Sequence, residues 1–157
     1  MERLRLLLFA IFFVSAVGIA AELFLLEHTE SVWQWIPFGA LGLGVLTGLA
    51  AVIRPRPATV RAFQVVMTLF MASGLTGLFL HYRGNVEFEL EMYPSLAGAE
   101  LVWKALTGAT PALAPAVMAQ LGVLGLVACF RHPAVTPPSV ATAQPSDEQA
   151  LRERIPA

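Results

Sequence analysis

Between Leu6 and Leu26 only two side chains, Ser15 and Glu22, are not apolar or glycine. A run of this length constrains the fold more than any other feature of the chain. About 20 apolar residues in helical conformation cross a hydrocarbon core of roughly 30 Å, and lipid offers no partner to backbone polar groups that a helix leaves unpaired. Three more runs of similar character follow. Together they predict spans over residues 5–26, 36–53, 62–81 and 111–130. Composition agrees: 57% of the 157 residues are hydrophobic and 13% are charged, against about 25% charged in soluble domains.

Short polar segments separate the runs. Glu27-His28-Thr29-Glu30-Ser31-Val32-Trp33-Gln34-Trp35 is an acidic turn carrying two tryptophans, whose amphipathic rings suit a membrane interface. Trp103, Tyr82 and Tyr93 also stand outside the most apolar stretches. Pro37 falls near the first turn of the second span, where a missing N–H costs little. Arg54-Pro55-Arg56-Pro57-Ala58-Thr59-Val60-Arg61 is a tight basic loop. The small residues Gly44 and Gly48, and Ser73 and Gly77, are each spaced by four, which lets helix backbones approach closely in lipid. The Gly44/Gly48 face is a candidate for self-association.

Residues 82–110 form the longest interruption and are expected to make an ordered extracytoplasmic cap. Val86, Phe88, Leu90 and Met92 alternate with Glu87, Glu89 and Glu91. That period of two predicts an extended, half-buried segment. Ser95 then serves as N-cap of a short amphipathic surface helix over 96–107, with Leu96, Ala99, Trp103 and Leu106 on one side and Glu100–Lys104 as an i,i+4 pair. After Arg131 and His132 the composition turns to proline, serine, threonine, alanine and glutamine. Residues 133–157 therefore read as a disordered tail, in which Asp147–Arg154 is long enough for one or two helical turns at most.

Charge sets the orientation. Arg3, Arg5, Arg54, Arg56, Arg61 and Arg131 fall on one side; Arg83 and Lys104 fall on the other with Glu27, Glu30, Glu87, Glu89, Glu91 and Glu100. The positive-inside rule places both termini in the cytoplasm and the protein in the plasma (inner) membrane. A rival reading takes Arg3 and Arg5 as the head of a signal peptide cleaved near Gly18-Ile19-Ala20. The apolar run resumes at Leu23 and completes a full span, which favours retention.

Several function classes lose support. There is no GxSxG, HExxH, P-loop or Rossmann glycine pattern, so no enzyme is indicated. The only cysteine, Cys129, allows neither an intrachain disulfide nor a thiolate metal cluster, and a net charge of −1 offers no field for nucleic acid. No cofactor is expected. An intramembrane carboxylate is costly and tends to find a partner, so Glu22 is paired here with His81 and Arg83 as a polar cluster. Metal ligands, if any, would come from His28, His81, Glu87, Glu89 and Glu91. Haem between His28 and His81 is a more distant alternative. The sequence expectation is an all-α, four-span bundle acting as a non-catalytic accessory or scaffold subunit. Its partners would be the bilayer and a membrane protein or a second copy. An ion-handling or ion-sensing protein built on Glu22 and the outer His/Glu cluster is the alternative.

Overall fold

The computed structural model describes residues 2–27, 29–108 and 110–136. Five α-helices account for most of them: α1 (Glu2–Leu25), α2 (Trp35–Ile53), α3 (Pro57–Met92), α4 (Gly98–Leu106) and α5 (Ala116–Ala128), with a 3-10 turn at Val32–Gln34. No strand occurs among the described residues. Three helical stretches, Glu2–Leu25, Val32–Ile53 and Pro57–Met92, are long and apolar enough to cross a membrane.

The four long or apolar helices close into a ring. α1 lies between α2 and α5, and α3 completes the circuit by packing on α2 and α5. α1 and α3 stand diagonally and meet through aromatic rings. Phe12 is edge-on to Phe63 at 5.3 Å, Phe9 lies 5.2 Å from Phe63, and Phe12 lies 6.1 Å from Phe70. Such ring pairs add about 0.5–1.5 kcal/mol each beyond the area they bury. Phe12, Phe63, Phe70, Met67 and Val60 are fully buried, whereas Val14, Val17, Leu46, Ile53, Val65 and Leu69 face outward. An apolar inside with an apolar outside is the pattern of a bundle solvated by lipid.

Glycines decide where this ring is tight. A Cβ on Gly44 would meet the rings of Phe70 and Phe12, and one on Gly48 those of Phe13 and Phe63. Both glycines are therefore buried against phenylalanine rings of the same chain. The α3–α5 seam is closer still. A Cβ on Gly74 would lie 2.5 Å from the Ala119 amide nitrogen, one on Gly122 2.5 Å from the Met67 carbonyl oxygen, and one on Gly77 2.8 Å from the Pro115 ring. Of the expected pair Ser73 and Gly77, Gly77 does sit on this seam; Gly74, Gly122 and Gly125 are its unforeseen members.

Two helix ends are held by side chains. The Thr59 hydroxyl donates to the Arg54 carbonyl at 2.7 Å and accepts from the Arg56 N–H at 3.0 Å, locking the basic loop. Arg5 of α1 donates from Nε to the Ala128 carbonyl at 3.0 Å and from Nη2 to the Phe130 and Arg131 carbonyls at 3.4 Å. The Ala128 carbonyl ends α5 and the other two follow just beyond it, and a guanidinium there also opposes the negative end of the helix dipole.

The largest departure from expectation is α3. Its 36 residues correspond to about 54 Å of helix, and it continues without a break through the segment expected to be extended. The alternation Val86, Phe88, Leu90, Met92 is helical after all. Positions 86 and 90 lie one turn apart and are half-buried, while 88 and 92 lie on the opposite side and are exposed. Asn85 and Glu89 join the inner side, so the burial follows a spacing of three and four. α4 is also displaced. It covers 98–106 with Ala97 as N-cap, because Gly98 takes a left-handed φ of 62° and delays the helix start past Ser95. Leu101 and Ala105 turn inward, leaving Trp103 and Val102 exposed.

The expected fourth span at 111–130 contains an α-helix of 13 residues. Pro111 and Pro115 cannot donate to a ladder. Tighter i→i−3 bonds extend the coil at both ends: Ala114 N–H to Pro111, Met118 N–H to Pro115 and Phe130 N–H to Val127. Packing continues as far as Ala134 and Val135, which rest against the core. The remaining tail, including Asp147–Arg154, lies outside the described residues.

Candidate functional site

The polar surface with the most construction behind it lies where α3 leaves the bundle. Asn85 is 3% exposed and stands at the centre. Its Nδ2 donates to the Ala105 carbonyl at 2.8 Å and to the Thr110 carbonyl at 2.7 Å. Its Oδ1 accepts from the Thr110 N–H at 3.2 Å and from the Thr110 hydroxyl. An asparagine amide offers two donors and two acceptor positions, and all four are used. Burial of an amide without partners costs about 1–3 kcal/mol per group, so complete pairing is what permits this residue inside. Gly108 supplies the space: a Cβ there would lie 3.0 Å from the Asn85 Cγ.

Asn85 thus pins α4, the turn after it and the start of the last helical segment onto α3. Lys104 reinforces the arrangement by placing its Nζ 4.2 Å from the centre of the Tyr93 ring. This replaces the expected Glu100–Lys104 pair, because docking of α4 on α3 puts Tyr93 within the ammonium's reach. Asn85 carried no sequence signal of a special role. The available hint was an amide flanked by arginine and glutamates on a face of small and apolar residues, which periodicity read as a strand conceals.

Beside Asn85 lies an open cleft of ≈ 340 Å³ lined by Leu80, His81, Gly84, Asn85, Phe88 and Thr110. His81 is the titratable side chain of its wall. The His81 Nδ1 is buried and has no hydrogen-bond partner among the described residues. With Asn85 saturated, the wall pairs one imidazole with apolar contacts and offers no second group for concerted acid–base work.

The other candidates form no joint cluster among the described residues. Glu22 is exposed on α1 and makes no hydrogen bond or ion pair with His81 or Arg83 among the described residues. Arg83 instead pairs with Glu87 one turn along α3, its Nε 2.7 Å from Oε1. Glu87 and Glu91 are exposed and Glu89 is half-buried, on different sides of the helix. No three metal-ligating side chains gather among the described residues. His28 lies outside them, which leaves the haem pair with His81 undescribed.

No protein-family model, curated protein or solved structure matches the chain.

Proposed function

We propose that the protein is a non-catalytic, multi-pass accessory subunit that presents an ordered outer ledge to a larger membrane or envelope partner. In this reading α1, α2 and α3 cross the plasma (inner) membrane, and residues 111–130 complete a fourth pass with tighter turns at its ends. Both termini lie in the cytoplasm on the side of Arg3, Arg5, Arg54, Arg56, Arg61 and Arg131.

One observation carries the proposal. α3 runs 36 residues, about 24 Å more than a hydrocarbon core needs, and α4 is pinned to the excess by a fully satisfied buried amide. A loop whose only task is to join two spans has no use for such bracing. The ledge leaves Phe88, Met92 and Trp103 exposed, at 49%, 59% and 67%, beside the carboxylates of Glu87 and Glu91. Apolar anchors with a charged border are the usual composition of a protein contact.

Extraction in mild detergent from the native membrane tests this. A stoichiometric complex that is lost on Trp103→Ala or Phe88→Ala is the expected result. Recovery of the intact protein as a lone monomer would refute the subunit reading. Orientation has its own check: in a Cys129→Ala background, Glu91→Cys should react with an impermeant thiol reagent on intact cells, and Arg56→Cys only after permeabilisation.

A further inference from the structure

The arginine-rich end of the bundle holds a second cavity, of ≈ 580 Å³, unrelated to the ledge. Its floor is apolar: Leu6 of α1 and Val52 of α2 offer the accessible surface, with the buried Phe9 and Ala51 beneath them. Its rim carries Arg5, Arg131 and His132, with Glu2 as the acidic side chain. Arg5 spends its Nε and one face of Nη2 on the end of α5. A guanidinium has five N–H groups, so donors remain on its outer edge. Arg131 follows α5 in a left-handed conformation, φ 47°, and is exposed. The His132 Nδ1 accepts from the Ala134 N–H at 3.1 Å, which assigns the ring proton to Nε2, a further donor.

We propose that this cavity binds the phosphate headgroup of an anionic membrane lipid. Arg131 and Arg5 hold the phosphate, and the glycerol and first acyl carbons lie on Leu6 and Val52. The inference rests on the reading that this end of the bundle meets a bilayer surface. Guanidinium matches phosphate in charge and in planar, paired hydrogen bonding. The apolar floor accounts for the choice of a lipid, since a free phosphate ion would use the rim and leave the floor unoccupied. Basic pockets at the cytoplasmic ends of membrane helices are a common means of holding acidic headgroups.

The full-length protein in detergent tests it through thermal stability in the presence of dioleoylphosphatidylglycerol, dioleoylphosphatidylcholine or inorganic phosphate. Only the anionic phosphatidylglycerol should raise the midpoint. Arg131→Asn, chosen because asparagine tolerates the left-handed conformation, should weaken its apparent affinity roughly fivefold. Arg61→Gln removes the same charge from the same end without touching the cavity and should leave the affinity unchanged. The proposal is overturned if phosphatidylcholine or free phosphate stabilises equally, if Arg131→Asn has no effect, or if Arg61→Gln weakens binding as much. Alkaline carbonate extraction separates the two levels. A protein released by carbonate loses the membrane reading and this site with it; one retained but indifferent to phosphatidylglycerol loses the lipid site alone.

Discussion

Asn85 on α3 and Thr110 before α5 are joined by three hydrogen bonds, two into the amide oxygen and one out of the amide nitrogen. The two residues are 25 apart in the chain, and the described residues between them form the ledge. Asn85→Ala strands the Ala105 and Thr110 carbonyls together with the Thr110 N–H. It should cost about 2–4 kcal/mol. The expected signature is local: cleavage by trypsin at Lys104 should accelerate strongly while α1, α2 and the inner part of α3 stay protected. Uniform loss of protection would mean that Asn85 supports the whole bundle.

Glycine-to-alanine changes should divide by location. At Gly74 the new Cβ meets backbone of α5 at 2.5 Å, which neither helix can yield without opening the seam, and a loss of about 1–3 kcal/mol follows. Gly39 and Gly42 face open space. Alanine there should be neutral or stabilising by up to about 1 kcal/mol, from helix propensity and a less flexible unfolded chain. Thermal midpoints of the three variants in one detergent decide the matter.

His132 makes stability depend on pH. Burial first, and the nearby Arg5 second, hold its imidazole below the ordinary value of 6.5. The unfolded chain therefore binds a proton that the folded chain refuses. Stability should be full above about pH 6.5 and fall as pH drops toward the folded value. Arg131 and Glu2 share the cavity wall with it, so comparison with His132→Gln is needed to isolate the imidazole. The difference between the two melting profiles should be constant above about pH 6.5 and shift against the parent as pH falls from there toward the folded value.

Glu22→Gln should leave expression and stability within about 0.5 kcal/mol of the parent, as expected for an exposed side chain with no specific partner among the described residues. A large destabilisation would reveal a partner for this carboxylate. Loss of a transport or ion-dependent phenotype with a normal melting curve would instead support ion handling.

How much of this was open to sequence reasoning depends on the length of the pattern. The spans at Leu6–Leu26 and Ile36–Ile53 were legible because a long apolar run has one solution in lipid, and the observed helices end within a few residues of those limits. The stretch 86–92 misled because seven alternating residues fit two periods. Even positions in a helix fall on two opposite faces, 86 and 90 on one and 88 and 92 on the other, and which face is buried is settled only by α4 and Thr110. For Glu22, depth along a helix can be counted but rotation about its axis cannot, and the carboxylate is exposed on α1. The spacing of Gly44 and Gly48 suits close packing, but their occupants, phenylalanine rings from the same chain, depend on the ring order of the bundle.

α3 has a mechanical corollary. Its continuous backbone ladder links the seam at Gly74 to the amide at Asn85 with no hinge between them. A tilt of 10° applied to a rod of its length moves the far end by about 9 Å, and a rotation about its axis is transmitted undiminished. A disturbance of packing among the inner phenylalanines would be carried along α3 to Asn85 and Trp103, making the ledge a pointer that reports on the state of the core.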